Sequence, residues 1–359
     1  MPASPERRRR VGWGVVGCGW VGRDLAGPAI AASRNGRLIA LCDRRPEELE
    51  RVGAAHPEAA RHQDLAEFLA TPGLDAVYVA TPNDSHAALT RTAAEAGKHV
   101  LCEKPMALDA AEAEGMVQAC RRAGVTYATA FDQRFHAAHR RLARLVREGD
   151  LGRVACVRIH YACWTPRDWT ADNWRVDPRR AGGGAMIDLA PHGLDLTQYL
   201  LGEPIETVAC LTQRRIFDYP VDDGAVLVAR TTGGALLSHT VAYNCPDVFP
   251  RRRLEVIGDR GRALALDTMG QTPGGTLTLT GLDGIERPVP VDPADDRSPF
   301  LNQVEAFADA LLSGRPFPFP PELDLHTMRL LDAAAREATA RVAPPAVPMI
   351  PEERRADAA

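Results

Sequence analysis

The sequence predicts two domains. The first is an α/β domain on a doubly wound parallel sheet. The second is an α+β domain on a large, mainly antiparallel open sheet. Three observations predict them. The chain has 359 residues, and a domain averages roughly 150. Short apolar runs alternate with helical patterns through the first third, as parallel strands joined by crossover helices do. After Phe131 the segments become longer and alternate regularly, separated by turns such as Thr232-Gly233-Gly234 and Gly258-Asp259-Arg260-Gly261.

Each element has its own signal. Trp13–Gly17, Arg37–Cys42, Ala76–Ala80, His99–Cys102 and, more weakly, Thr126–Thr129 are apolar runs of strand length. Between them Pro46–Ala55, Asp64–Leu69, Ser85–Ala96 and Asp109–Ala123 read as helices. Ser85 and Asp109 suit N-caps, and Gly97 and Gly124 fall where C-terminal glycines belong. A helix over Ala137–Glu148 leads into strands at Arg153–His160, Thr207–Leu211, Gly224–Thr231, Ala235–Tyr243, Arg252–Ile257 and Gly275–Leu279. Met186–Leu200 reads as an inserted helix, and Phe300–Ser313 with Asp324–Arg341 as a closing helical pair. The expected division is 9–130, then 131–343 with a last helix able to pack back on the first domain, then a Pro-rich tail over 344–359.

Composition excludes several classes. With 43 basic and 47 acidic residues the net charge is −4, against the basic excess of a nucleic-acid-binding domain. No apolar stretch reaches about 18 residues, so no membrane span is expected. The eight cysteines form no Cys-x-x-Cys pair and mostly sit in apolar runs. That suits small core hydrophobes in a reducing compartment, and hence a cytoplasmic protein. Only two of the basic residues are lysines, Lys98 and Lys104.

The strongest motif is Gly17-Cys18-Gly19-Trp20-Val21-Gly22, directly after a strand and opening a helix. Its glycines permit a tight turn and close approach of backbone to a pyrophosphate, whose charge the helix N-terminus stabilises. Asp43 ends the next strand, 21 positions after Gly22, near the spacing at which a carboxylate meets the adenosine ribose. These features predict a Rossmann-type domain binding NAD. Asp43 would repel a 2′-phosphate, whereas Arg44 and Arg45 leave NADP possible. Ala80-Thr81-Pro82-Asn83-Asp84-Ser85-His86 follows the third predicted strand, where ligands of such sheets lie, so Thr81, Pro82 and Asn83 would line the nicotinamide side.

Cys102-Glu103-Lys104-Pro105 ends the fourth predicted strand. At this point the chain resembles the Gfo/Idh/MocA family of glucose–fructose oxidoreductases, inositol dehydrogenases and related sugar dehydrogenases. That family has a Gly-rich turn, an ATPN-x-x-H segment and a Glu-Lys-Pro triplet in this order. Gly182-Gly183-Gly184, followed by Asp188-Leu189-Ala190-Pro191-His192, resembles its glycine-rich approach to an Asp-x-x-x-His helix. The likeness runs from about Val11 to Pro348. It implies that His86, Glu103 and Lys104 join the cofactor site and that Lys104–Pro105 is cis. It also implies a catalytic group: His192 as general base, Lys104 as electrostatic partner, Asp188 as orienter and substrate contact. A homodimer or homotetramer through the open sheet face is implied as well.

The residues support that chemistry in their own right. Asp188 and His192 are four apart and so share a helix face. A histidine can take a hydroxyl proton near neutrality, a carboxylate can orient it, and a compact ammonium can stabilise an alkoxide. The same residues could instead be a helix cap and a core histidine. A metal reading lacks a third ligand by spacing, so no metal is expected. Trp164, Trp169 and Trp174 cluster with Arg175 in one segment, suited either to stacking on a sugar or to packing. Trp164, Trp174 and Arg175 are therefore substrate candidates, with His160 and Tyr161 weaker ones. His136, His139 and Arg251–Arg253 read as surface groups.

The expected activity is hydride transfer between a secondary hydroxyl of a sugar, glycoside or cyclitol and a nicotinamide. A biosynthetic keto-sugar reductase and a non-catalytic dinucleotide sensor or co-repressor are the alternatives. The expected partner is a small polyol, with no nucleic acid or membrane.

Overall fold

Six consecutive apolar or glycine residues, Val11–Val16, form strand β1, and every one is buried. Such a run suits the middle of a parallel sheet, where helices cover both faces. A computed structural model describes residues 9–165 and 173–340. Trp169 and the tail from Pro344 lie outside the described residues. The remaining strands of this sheet are β2 (Gly36–Cys42), β3 (Ala60–His62), β4 (Ala76–Val79), β5 (His99–Cys102) and β6 (Tyr127–Thr129). All pair in parallel, in the order β3-β2-β1-β4-β5-β6. The order reverses between β1 and β4, which opens a crevice at their carboxyl ends.

The crossover helices are α1 (Gly27–Ala32), α2 (Pro46–Ala55), α3 (Leu65–Leu69), α4 (His86–Glu95) and α5 (Ala110–Ala123). Asp109 caps α5 through the Glu112 N–H at 2.8 Å, and Gly124 closes it at φ 66°. Ser85 stands at the N-cap position of α4 but does not cap it. Its hydroxyl turns back to Thr81 Oγ1 and the Pro82 carbonyl, each at 2.7 Å. The sequence missed β3, because three residues are too few to show alternation.

The second sheet orders its strands β14-β13-β12-β11-β7-β10-β9-β8. They are β7 (Val154–Ala162), β8 (Ile205–Gln213), β9 (Gly224–Thr231), β10 (Leu236–Ala242), β11 (Arg252–Gly258), β12 (Gly261–Leu266), β13 (Thr276–Gly281) and β14 (Glu286–Pro288). Among the described residues only β7 and β10, at the centre, pair in parallel within this sheet. Sequence reading missed β12, a short strand tightly joined to β11, and β14, a three-residue edge ending in Pro288.

Helices α6 (Ala137–Glu148), α7 (Pro178–Ala181) and α8 (Ala185–Leu201) complete the middle of the chain. Helix α8 lies across one face of the second sheet against β7 and β10. A Cβ at Gly193 would stand 2.1 Å from the His239 ring, so glycine lets the helix sit this close. The three glycines before α8 have a similar role: a Cβ at Gly184 would fall 1.9 Å from the Asp222 carbonyl oxygen. The last helices are α9 (Pro299–Ser313) and α10 (Pro321–Ala340). Phe307 of α9 packs on Trp13 of β1 at 5.5 Å between ring centroids. Helix α10 packs against α5, α8 and β8. The closing helices therefore span both sheets.

One buried ion cluster ties these layers. Arg134 Nε donates to Asp195 Oδ2 of α8 at 2.9 Å, and its Nη2 donates to Asp195 Oδ1 and, at 2.7 Å, to Asp324 Oδ1 of α10. Phe131 and Phe319 flank the guanidinium, with ring centroids 4.8 and 4.6 Å from Cζ. Two histidines expected at the surface, His136 and His139, are buried beside this turn. The His139 ring nitrogens lie 2.9 Å from the Gln133 carbonyl and 2.9 Å from Thr268 Oγ1. Local sequence could not show this, because a buried histidine needs partners and one of these, Thr268, comes from a distant part of the chain. Removing one partner of a buried ion cluster leaves an uncompensated charge and costs about 3–5 kcal/mol. Arg134→Met is expected to lower unfolding stability by that amount, measured by chemical denaturation.

Candidate active site

The crevice between β1 and β4 begins with the glycine turn. Gly17 has φ +94°, and a Cβ there would meet the Ala80 carbonyl oxygen at 2.5 Å. A Cβ at Gly22 would lie 1.9 Å from the Gly17 carbonyl oxygen, so this position also excludes a side chain. At Gly19 a Cβ would meet nothing within 4 Å, leaving room over the turn. A π-helical turn, Gly22–Ala26, then runs into α1. The first N–H groups of a helix lack intrahelical acceptors, so those of Trp20 and Val21 suit an anion. Trp20 itself is exposed at the rim.

Asp43 ends β2 beside this turn. One carboxylate oxygen accepts the Cys18 N–H at 2.8 Å and the other the Arg45 N–H at 3.0 Å. The oxygen that accepts from Cys18 keeps a lone pair for a ribose hydroxyl. Arg45, not Arg44, reaches the carboxylate, with Nε at 3.4 Å; Arg44 is exposed. The cradle, the open space at Gly19 and the carboxylate together fit a dinucleotide.

Thr81 and Pro82 follow β4 and are half-buried. Asn83 is buried and donates to the Ala181 carbonyl at 2.9 Å, joining the two halves of the chain. His86 departs from expectation. It is fully buried, with its ring nitrogens 2.9 Å from the Pro105 and Thr81 carbonyls. It braces the turn from behind and presents no edge to a cofactor. Glu103 is likewise buried and accepts the Tyr78 hydroxyl at 2.6 Å. Its position beneath the floor follows from strand alternation, which sends successive side chains to opposite faces. The Lys104–Pro105 peptide is cis.

Lys104 emerges half-buried from the end of β5 and meets α8. Its Nζ donates to Asp188 Oδ1 at 2.6 Å and to the Asp188 carbonyl at 3.0 Å. Tyr243, just after β10, donates its hydroxyl to Asp188 Oδ2 at 2.8 Å. Burial works against the Asp188 carboxylate, but Lys104, Arg175 and the Tyr243 hydroxyl outweigh it and hold its pKa well below the ordinary value. Asp188 does not cap α8. Asp222 does, accepting the Gly184 and Met186 N–H groups at 2.8 Å each.

One turn along α8 is His192, buried, with Tyr161 edge-on at 5.5 Å. Burial, and then the Lys104 ammonium, push its pKa well below that of free imidazole. Such a ring stays neutral at pH 7. The Asp188 oxygens accept from Lys104 and Tyr243, and no hydrogen bond joins this carboxylate to His192 as the four-residue spacing suggested. The carboxylate facing His192 Nδ1 is that of Asp132, in the tight turn Asp132–Phe135, at 3.5 Å. Sequence reasoning missed Asp132 and Tyr243. Each lies just past a strand end, the signal that could have found them.

The tryptophan segment divides. Trp174 and Arg175 line a small cavity with Asn83, Ile187, Asp188 and Tyr243, and the Arg175 guanidinium lies 4.6 Å over the Trp174 ring. Trp164 instead packs against Phe217 at 5.3 Å. Lys98, the other lysine, donates to the Leu74 carbonyl at 3.0 Å, away from this site. Among the described residues there is no group of three or more potential metal ligands.

A glycine-turn dinucleotide crevice facing a lysine, a neutral buried histidine and a carboxylate defines a nicotinamide-dependent oxidoreductase. Residues 11–131 match the oxidoreductase family with the NAD-binding Rossmann fold. Residues 139–264 match the GFO/IDH/MocA C-terminal domain. The chain belongs to the GFO/IDH/MocA family. It is 32% identical to the 1,5-anhydro-D-fructose reductase of Ensifer adhaerens, over 79% of this chain and 84% of that one. It is 30% identical to the inositol 2-dehydrogenase of Rhizobium meliloti, over 91% and 96%. Its fold is similar to the crystal structure of aldose-aldose oxidoreductase from Caulobacter crescentus complexed with glycerol, with TM-score 0.83, 28% identity, and 92% and 98% coverage.

Gly22→Ala should force the glycine turn open, because the atom it strikes is backbone and cannot rotate away. Dinucleotide affinity, read by quenching of tryptophan fluorescence, is expected to fall at least about 10-fold, worth roughly 1.4 kcal/mol, with the fold retained by circular dichroism.

Proposed function

We propose that this protein transfers hydride between a secondary hydroxyl of a cyclic polyol (a sugar, glycoside or cyclitol) and a nicotinamide dinucleotide. Residues 9–130 hold the dinucleotide and 131–343 supply most of the substrate site. The observation that carries this reading is the convergence of Lys104, Asp188, His192 and Tyr243 at the nicotinamide side of the crevice. Relatives named as sugar and inositol dehydrogenases support it.

A nicotinamide dinucleotide held at the glycine turn and Asp43 would supply the hydride acceptor. The protein's residues handle the proton and the oxygen. An ammonium has three hydrogens. Asp188 takes two of those on Lys104, leaving one for the carbinol oxygen as negative charge develops there. His192 is neutral by virtue of its burial and of Lys104, so it can accept the carbinol proton at once. Asp188 and Tyr243, with Arg175 and Trp174 beside them, face the remaining ring hydroxyls. Asp43 favours NAD through repulsion of a 2′-phosphate, with Arg45 beside it leaving NADP usable.

Run backwards, the same groups reduce a ketone: His192 returns the proton as hydride arrives. The relative named 1,5-anhydro-D-fructose reductase favours this second reading. Eight free cysteines support a reducing, cytoplasmic setting.

A panel of inositols, hexoses and glycosides with NAD and NADP, followed at the nicotinamide absorbance band, tests the activity. On the substrate so found, His192→Ala should lose about 10²-fold or more in kcat; wild-type turnover would remove His192 from the mechanism.

The open face of the second sheet supports a homodimer or homotetramer. Leu211, Val226, Val228 and Leu236 sit together there at 55%, 45%, 54% and 56% exposure. Adjacent exposed apolar residues on a sheet mark an interaction surface. Light scattering should give a dimer or tetramer mass, and Val228→Asp should shift it toward monomer.

A further inference from the structure

We propose that Asp132 positions His192, holding a proton on Nδ1 so that Nε2 is free to take the carbinol proton. This rests on His192 being the base.

A neutral imidazole donates from one nitrogen and accepts at the other. For Nε2 to accept, Nδ1 must carry the hydrogen. Nδ1 of His192 is buried and makes no hydrogen bond, and Asp132 Oδ1 stands 3.5 Å away. Both side chains are only 3% exposed, so solvent is a poor substitute. Asp188 makes no hydrogen bond to the ring; its oxygens accept from Lys104 and Tyr243 instead. A small rotation of the ring or carboxylate would close the remaining gap to a hydrogen bond. When Nε2 takes the substrate proton, the imidazolium would then face a carboxylate through Nδ1–H.

Asp132 is itself held in place. Its Oδ2 accepts Gln133 Nε2 at 2.9 Å, and the same amide donates to the Gly270 carbonyl at 3.1 Å. Two residues on, Arg134 grips Asp195 of α8, one turn beyond His192. The Asp132 turn and the His192 helix are therefore locked as a unit.

The groups facing the pair are Glu103 and Lys104 after β5, Tyr78 on β4, Tyr161 on β7, Asp188 on α8 and His239 on β10. Burial and then Glu103 push Asp132 up to about 7, with Lys104 opposing. The carboxylate therefore prevails above pH 7 and is lost below it. His192 is held low, so the acid limb near neutrality belongs to Asp132.

The test compares the intact wild type, Asp132→Asn and His192→Ala on one substrate from pH 5.5 to 9. Asp132→Asn should lower kcat about 10-fold, leave dinucleotide affinity unchanged and abolish the acid limb near 7. Nitrogen NMR of histidine-labelled wild type, assigned against His192→Asn, should show His192 protonated at Nδ1. A wild-type kcat and acid limb in Asp132→Asn would overturn the proposal. So would an Nε2-protonated ring in the wild type, which decides the matter even if Asp132→Asn does not fold. Retained turnover in His192→Ala would instead overturn the base assignment itself, whatever Asp132→Asn does.

Discussion

The contact between Lys104 and Asp188 organises the rest of the site. It joins the end of a strand in the first sheet to the start of a helix lying on the second. Its influence is electrostatic as well as geometric. The ammonium, with Arg175 and the Tyr243 hydroxyl, holds the Asp188 carboxylate ionised against the opposing effect of burial. The same charge helps keep His192 neutral and partly offsets the rise in Asp132. Desolvation is the largest influence on all three groups, and the one cation reinforces it at His192 and opposes it at Asp188 and Asp132. An arginine would bring a planar fork where a compact point charge is required. In a chain with only two lysines, one of them stands here.

Close backbone approach is the second recurring constraint. Gly22 lies against the Gly17 carbonyl, Gly184 against that of Asp222, and Gly193 against the His239 ring. The first contact shapes the dinucleotide turn. The other two seat α8, and with it Asp188 and His192, on the second sheet. Behind this, Arg134 with Asp195 and Asp324 fixes α8 against α10 and the Asp132 turn. The ionisable groups at the site are thereby carried on elements tied together by buried contacts, as a preorganised site requires.

Most of the fold could be read from the chain. Strong periodicity marked helices such as Pro46–Ala55 and Ala137–Glu148, whose observed bounds are the expected ones. What escaped was β3 and β14, with three residues each, below the length at which alternation shows, and β12, tightly joined to β11. Side-chain roles were harder. His86, Glu103, His136 and His139 look like solvent-facing or ligand groups in sequence, yet all are buried. Burial depends on what packs over a residue, and that comes from distant parts of the chain.

The two-sheet architecture, the glycine turn and the family-like motifs holding Lys104, Asp188 and His192 were all legible along the chain. Those depend on local spacing: 3.6 residues per helical turn, alternation along a strand, glycine where a Cβ has no room. Tertiary structure alone decided which carboxylate meets which cation. Spacing pairs Asp188 with His192, but Lys104 approaches from 84 residues away and Tyr243 from 55, and together they take both oxygens. Asp132, remote in sequence, is left facing the histidine. Charge pairing in a buried site follows proximity in space, where a few ångströms of low-dielectric separation outweigh any relation along the chain.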